Sequence, residues 1–161
     1  MARHVKLFGH PVHQMLIVFP LGLLGASVIF DIIQRVWGGG WSQAAWYMSA
    51  AGVVGGLLAA VFGLIDWLGI PARTRAKRVG LLHACGNVVV LVLFAASWLL
   101  RRDTPADSSG LAFVLEVAGL LLACVTGWLG GELVDRLGVG VDAGAHVDAP
   151  SSLRGPIVRT G

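Results

Sequence analysis

Residues 9–36 read GHPVHQMLIVFPLGLLGASVIFDIIQRV, and the reading of this stretch decides the fold. From position 11 it is apolar and carries no formal charge until Asp31. As a helix it is long enough to cross a hydrocarbon core, which takes about 20 residues. A cleavable signal peptide does not fit, because its apolar region spans only about 7–15 residues and ends in a small-residue cleavage site. Three similar runs follow, at about 43–68, 79–100 and 111–133. The four nearly exhaust the chain and leave no room for a soluble catalytic domain.

The composition agrees. Of 161 residues, 56% are hydrophobic and 13% charged, where soluble domains carry about 25% charged residues; the mean hydropathy is +0.78. The net charge of +3 does not indicate nucleic acid, because it is concentrated rather than spread over a surface. Arg73, Arg75, Lys77 and Arg78 share the short stretch PARTRAKR between the second and third runs. Basic residues in short loops mark the cytoplasmic side. With Arg3 and Lys6 they place both termini in the cytoplasm of a multi-pass protein of the inner (cytoplasmic) membrane. Arg35 stands alone on the opposite side, and RRDTPAD sets Arg101 and Arg102 against two aspartates.

WGGGW (37–41), GIPARTRAKR (69–78) and RRDTPADSSG (101–110) read as turns. Connections this short make consecutive helices antiparallel neighbours, so the sequence predicts an all-α, up-down-up-down four-helix membrane bundle over residues 1–137. The Gly-, Ala-, Pro- and Ser-rich segment 138–161 reads as a flexible cytoplasmic tail. Glycines inside the second run (Gly52, Gly55, Gly56, Gly63) and the fourth (Gly119, Gly127, Gly130, Gly131) allow close helix contact. The six tryptophans lie mostly near span ends, as interfacial anchors do. Cys85 and Cys124 read as small apolar core residues rather than a disulfide.

Polar residues inside the spans converge on one depth. His13 starts the first helix, Asp66 ends the second, His83 starts the third and Glu132 ends the fourth, so all four fall within roughly 6 Å of one level at 1.5 Å per residue. His10 stands just outside as a cap or rim residue, since Pro11 suits the first helical position and disfavours helix before it. Ionisable groups within spans usually face the bundle interior and mark function. Three chemistries could use this layer. One is haem b with axial His13 and His83 (His10 as the alternative), Asn87 being placed to bond a ligand. Another is a transition metal such as zinc, iron or manganese, held by His10, His13, Asp66, His83 and Glu132. The last is a cofactor-free set of histidine–carboxylate pairs. No residue is singled out as catalytic. Asp31 and Glu116, near the far ends of the first and fourth helices, read as interfacial groups outside any second layer, with Asp31 paired to Arg35 one turn on. His4 and His146 lie outside the spans and receive no role.

GHPVHQMLIVFPLGLL, GLIDWLGIPARTRAKRVGLLH and GWLGGELV together resemble domain of unknown function 2231, a family of bacterial four-span membrane proteins, over residues 9–141. Carried over, its pattern keeps His10, Pro11, His13, Asp66, His83 and Glu132; Gln14 stands where the common form has a second proline. The resemblance implies a fold similar to the four-helix haem b cytochromes. Relatives joined to Rieske domains imply membrane electron transfer, here with a separate redox protein or quinone as partner. The expected surroundings are the lipid bilayer, and a homo-oligomer is compatible with this reading.

Overall fold

The computed structural model describes residues 5–154. Four long helices form the bundle: α1 (Val12–Leu16 and Val18–Trp37, interrupted at Ile17), α2 (Trp41–Gly69), α3 (Arg75–Leu100) and α4 (Gly110–Gly131). All four are long and apolar enough to cross a membrane, and their outer faces carry large apolar side chains such as Leu57, Leu58, Val61 and Leu64. Such a surface requires lipid contact. The fold is the expected all-α bundle, with shifted ends. The basic loop is shorter than expected, because Thr74 caps α3 by accepting from the Lys77 amide at 3.1 Å. Helix α4 runs on past position 133 as a π-helical turn, Glu132–Arg136.

The chain enters α1 through a two-stranded hairpin, β1 (Lys6–Leu7) and β2 (His10–Pro11). Phe8 and Gly9, its two turn residues, both have positive φ (51° and 86°), the geometry of a type I′ turn. Pro11 is therefore the extended residue preceding the helix rather than its first member. Residues 138–154 return irregularly over this entrance. Lys6 pairs with Asp142, and the Ser152 hydroxyl donates to the Phe8 carbonyl at 2.9 Å. Residues 155–161 of the expected flexible tail, and His4, lie outside the described residues.

Packing is closest within two hairpins, α1–α2 and α3–α4, and sparser between them. Without a hydrophobic drive between helices in lipid, close contact depends on small residues. A Cβ on Gly52 would fall 2.5 Å from Leu24 Cδ2, and one on Gly119 would fall 2.8 Å from Phe94 Cε2. Leu24, Val28, Val90 and Phe94 form the buried core at mid-depth. Cys85 and Cys124 are free thiols on the exposed exterior, not core residues as expected.

The second hairpin repeats the first. LGLLGAS (21–27) in α1 matches LVLFAAS (91–97) in α3, and Leu24 and Phe94, which fill the two glycine gaps, are its fourth residues. Its last residues, Ser27 and Ser97, are both fully buried, as are Ala45 and Ala112, each two turns before its glycine. Matched residues also meet across the seam between the hairpins: His13 with His83, Asp31 with Arg101, and Ser49 with Glu116. Like positions touch in this way where two copies face each other about a twofold axis, here along the bundle.

Candidate functional site

His13 and His83 meet at the end of the bundle where the β1–β2 hairpin leads into α1. Their ring centroids are 6.4 Å apart with planes at 88°. Each is held by the partner helix of its own hairpin in the same way. His13 Nδ1–H donates to the Ala59 carbonyl at 2.9 Å, and His83 Nδ1–H donates to the Thr126 carbonyl at 2.8 Å. A carbonyl accepts only, so both bonds fix the tautomer and leave the Nε2 lone pair available. Each ring also lies against a glycine one turn beyond its carbonyl. A Cβ on Gly63 would stand 2.8 Å from His13 Cε1, and one on Gly130 would stand 3.2 Å from His83 Cε1. The abundance of glycine in α2 and α4 thus serves helix contact at mid-depth and imidazole seating at this end.

Asn87, one turn after His83, donates to its Nε2 at 3.2 Å and to its carbonyl at 2.9 Å, and accepts from the Thr126 hydroxyl at 3.0 Å. His13 Nε2 makes no hydrogen bond among the described residues, and Ile17 stands where the repeat would place a second asparagine. The pair is therefore alike in how it is anchored and unlike in what meets its free nitrogens.

Two other residues expected in this layer, His10 and Glu132, take partners away from the pair. His10 is exposed on β2, with Nε2 3.4 Å from the Ser152 hydroxyl. Glu132 is bound at 2.6 Å by Arg75 at the helix end. Asp66 lies on α2 one turn beyond Gly63, half-buried. No group of three or more His, Cys, Asp or Glu side chains forms a metal-holding cluster among the described residues. Trp67 belongs to a separate clasp on the basic loop: Lys77 lies 3.8 Å from the ring centroid and donates to the Trp67 carbonyl, while the indole N–H donates back to the Lys77 carbonyl.

The expectation for the opposite end is overturned. Asp31 and Glu116 are fully buried, not interfacial, and they do form a second polar layer, around Arg101. The guanidinium, 1% exposed, turns inward from the end of α3. It donates to both Asp31 oxygens (2.7 and 3.3 Å), to Glu116 Oε1 (3.3 Å) and to the Ser42 carbonyl (2.6 Å). Ser49 and Ser97 also donate to Glu116 Oε1, at 3.1 and 2.9 Å, and Ser108 donates to Asp31. Arg35 does not take Asp31. It binds the carbonyls of Ser108 and Ser109 and lies 4.3 Å from the Phe113 ring centroid. Reading RRDTPAD as a solvated loop hid this cluster, because the arginine that closes it is the first loop residue.

Compared with known proteins, residues 9–143 match the family model described as "Predicted membrane protein (DUF2231)". No curated protein and no solved structure matches the chain.

Proposed function

We propose, for a chain that belongs to the DUF2231 family of predicted membrane proteins, a role in membrane electron transfer through haem b held between the two hairpins. His13 and His83 would hold it at the cytoplasmic face of the inner membrane, with a separate redox protein or quinone as the partner. The observation that carries this reading is the matched anchoring of the two imidazoles. Ligating histidines characteristically donate their other ring N–H to a carbonyl or carboxylate, and both do so here. Their ring centroids, 6.4 Å apart, are close enough for both imidazoles to reach one group bound between the hairpins.

A flat ligand would enter between the hairpins, where packing is sparser, and the glycine seats keep each imidazole against its own hairpin. Bound haem would supply one-electron chemistry. The chain's part is to fix two ring nitrogens, exclude water with apolar helices and offer Asn87, released from His83 Nε2, as a hydrogen-bond donor beside the site. A zinc, iron or manganese site draws less support, since Arg75 already neutralises Glu132. The bond from Asn87 to His83 Nε2, with the bonds that tie both residues to Thr126, favours a second reading, a cofactor-free polar interlock joining α3 to α4.

The test is an absorbance spectrum of protein purified in mild detergent from haem-replete cells, oxidised and then dithionite-reduced, with metal analysis of the same sample. The expected result is a reduced α-band with stoichiometric iron, lost in His13→Ala and His83→Ala while helical circular dichroism persists. A flat spectrum without iron overturns the haem reading. Another metal at stoichiometry would move the site to a two-histidine metal centre. An empty protein destabilised by the same substitutions would be the interlock.

A further inference from the structure

The cluster at the opposite end of the bundle is not used by the proposed haem site, and its charges do not balance. One guanidinium faces two carboxyl groups, and all three side chains are 0–1% exposed. Every element packed against them contributes a neighbour: Asp31 from α1, the Ser42 carbonyl and Ser49 hydroxyl from α2, Ser97 and Arg101 from α3, and Ser108 from the loop before α4. None of these is a second cation; Arg35, one turn on from Asp31, lies in the exposed rim and binds the Ser108 and Ser109 carbonyls instead. An unbalanced ionised carboxylate in a membrane interior is strongly disfavoured, because nothing replaces its hydration.

The two carboxyl groups differ in how they are satisfied. Asp31 accepts from Arg101 at both oxygens, and from Ser108. Glu116 accepts three bonds, all at Oε1, while its fully buried Oε2 meets no donor. Both carboxyl groups meet the same guanidinium nitrogen, Arg101 Nη1, at 2.7 Å for Asp31 and 3.3 Å for Glu116. Two carboxylates brought together on one donor repel unless a proton lies on one of them. The repeat makes the same point. Ser49 is the residue matched to Glu116, and with a serine in both places Asp31 and Arg101 would form a balanced pair. The glutamate is an addition to that pair.

We propose that Glu116 and Asp31 form a proton-binding carboxyl pair that holds one exchangeable proton within the bundle. The proton adds to the free Oε2 of Glu116, leaving Asp31 ionised against Arg101 and the cluster neutral. It comes from water and returns to it past the loop at 101–109, whose Ser108 and Pro105 touch the cluster. No other bond is made or broken. The inference is independent of the haem reading, since no residue of the cluster touches either histidine.

Infrared spectroscopy of the whole protein in an ester-free detergent tests it. The expected result is a protonated carboxylic C=O band near neutral pH that shifts in D₂O and is lost in Glu116→Gln. Because glutamine is shaped like the protonated acid, Glu116→Gln should keep the wild-type melting temperature, whereas Asp31→Asn, which strips Arg101 of its partner, should lower it. Should Glu116→Gln fail to fold, Ser49→Ala provides the second arm: losing one donor to Oε1 should shift the band. Absence of the band from pH 5 to 9, or a band unmoved by both variants, would overturn the proposal.

Discussion

Arg101→Met is the sharpest probe of the fold, because the structure sets its expected size. The guanidinium is 1% exposed and its carboxyl partners are fully buried. Methionine keeps the aliphatic stem and removes every donor. Asp31 would then retain only the Ser108 hydroxyl, and the Ser42 carbonyl would lose the guanidinium. Breaking a buried pair by removing one partner costs about 3–5 kcal/mol. At about 1.4 kcal/mol per tenfold, that is roughly a hundred- to several-thousand-fold in the folding equilibrium. Equilibrium unfolding in mixed micelles of mild detergent and dodecyl sulfate, followed by tryptophan fluorescence, measures it. Adding Asp31→Asn should recover all but about 1 kcal/mol, since removing both charges relieves what removing one creates. Arg102→Met, at a pair whose side chains are 69% and 86% exposed, should change nothing measurable. A loss for Arg101→Met below about 1 kcal/mol, the range of a solvated ion pair, would refute the buried cluster.

Further outcomes follow from the repeat and its seats. Gly119→Ala should cost about 1–3 kcal/mol by overpacking the rigid Phe94 ring, while Gly25→Ala, which meets nothing within 4 Å, should be neutral in the same unfolding assay. Thr126→Val should lose about 1 kcal/mol with the hydroxyl bond to Asn87; the His83 anchor survives because it is a backbone carbonyl. Fragments 1–72 and 73–161, cut within the basic loop and co-expressed, should copurify as a complex with the melting profile of a folded bundle. Fragments that stay apart would show that the seam depends on the covalent link.

The four spans and their antiparallel order were legible in the sequence because hydropathy and span length constrain a membrane helix so strongly. The depth argument also placed His13 and His83 correctly at one end of the bundle, since helical rise converts residue number directly into height. It could not say which residues at that height turn towards each other. Glu132 was captured by Arg75, and His10 was held outside by the Phe8–Gly9 turn. At the other end, treating Arg101 as a loop charge removed the one cation that makes Asp31 and Glu116 a buried set. The signal was present: LGLLGAS and LVLFAAS align, and extending that match puts Asp31 opposite Arg101. Divergence around it, as at Ile17 and Asn87 or Ser49 and Glu116, concealed the repeat.

Each repeat is a pair of antiparallel spans, which has a consequence for how the chain enters the bilayer. A unit with an even number of crossings leaves on the side where it came in, so a second copy appended to the first meets the membrane facing the same way. No redistribution of basic residues is needed to turn it over, unlike a unit of three crossings, whose copy would be inverted. The basic loop between α2 and α3 can therefore serve both units, ending one and starting the other. The joined halves are free to diverge where they face each other, and a serine in one can stand opposite a carboxylic acid in the other.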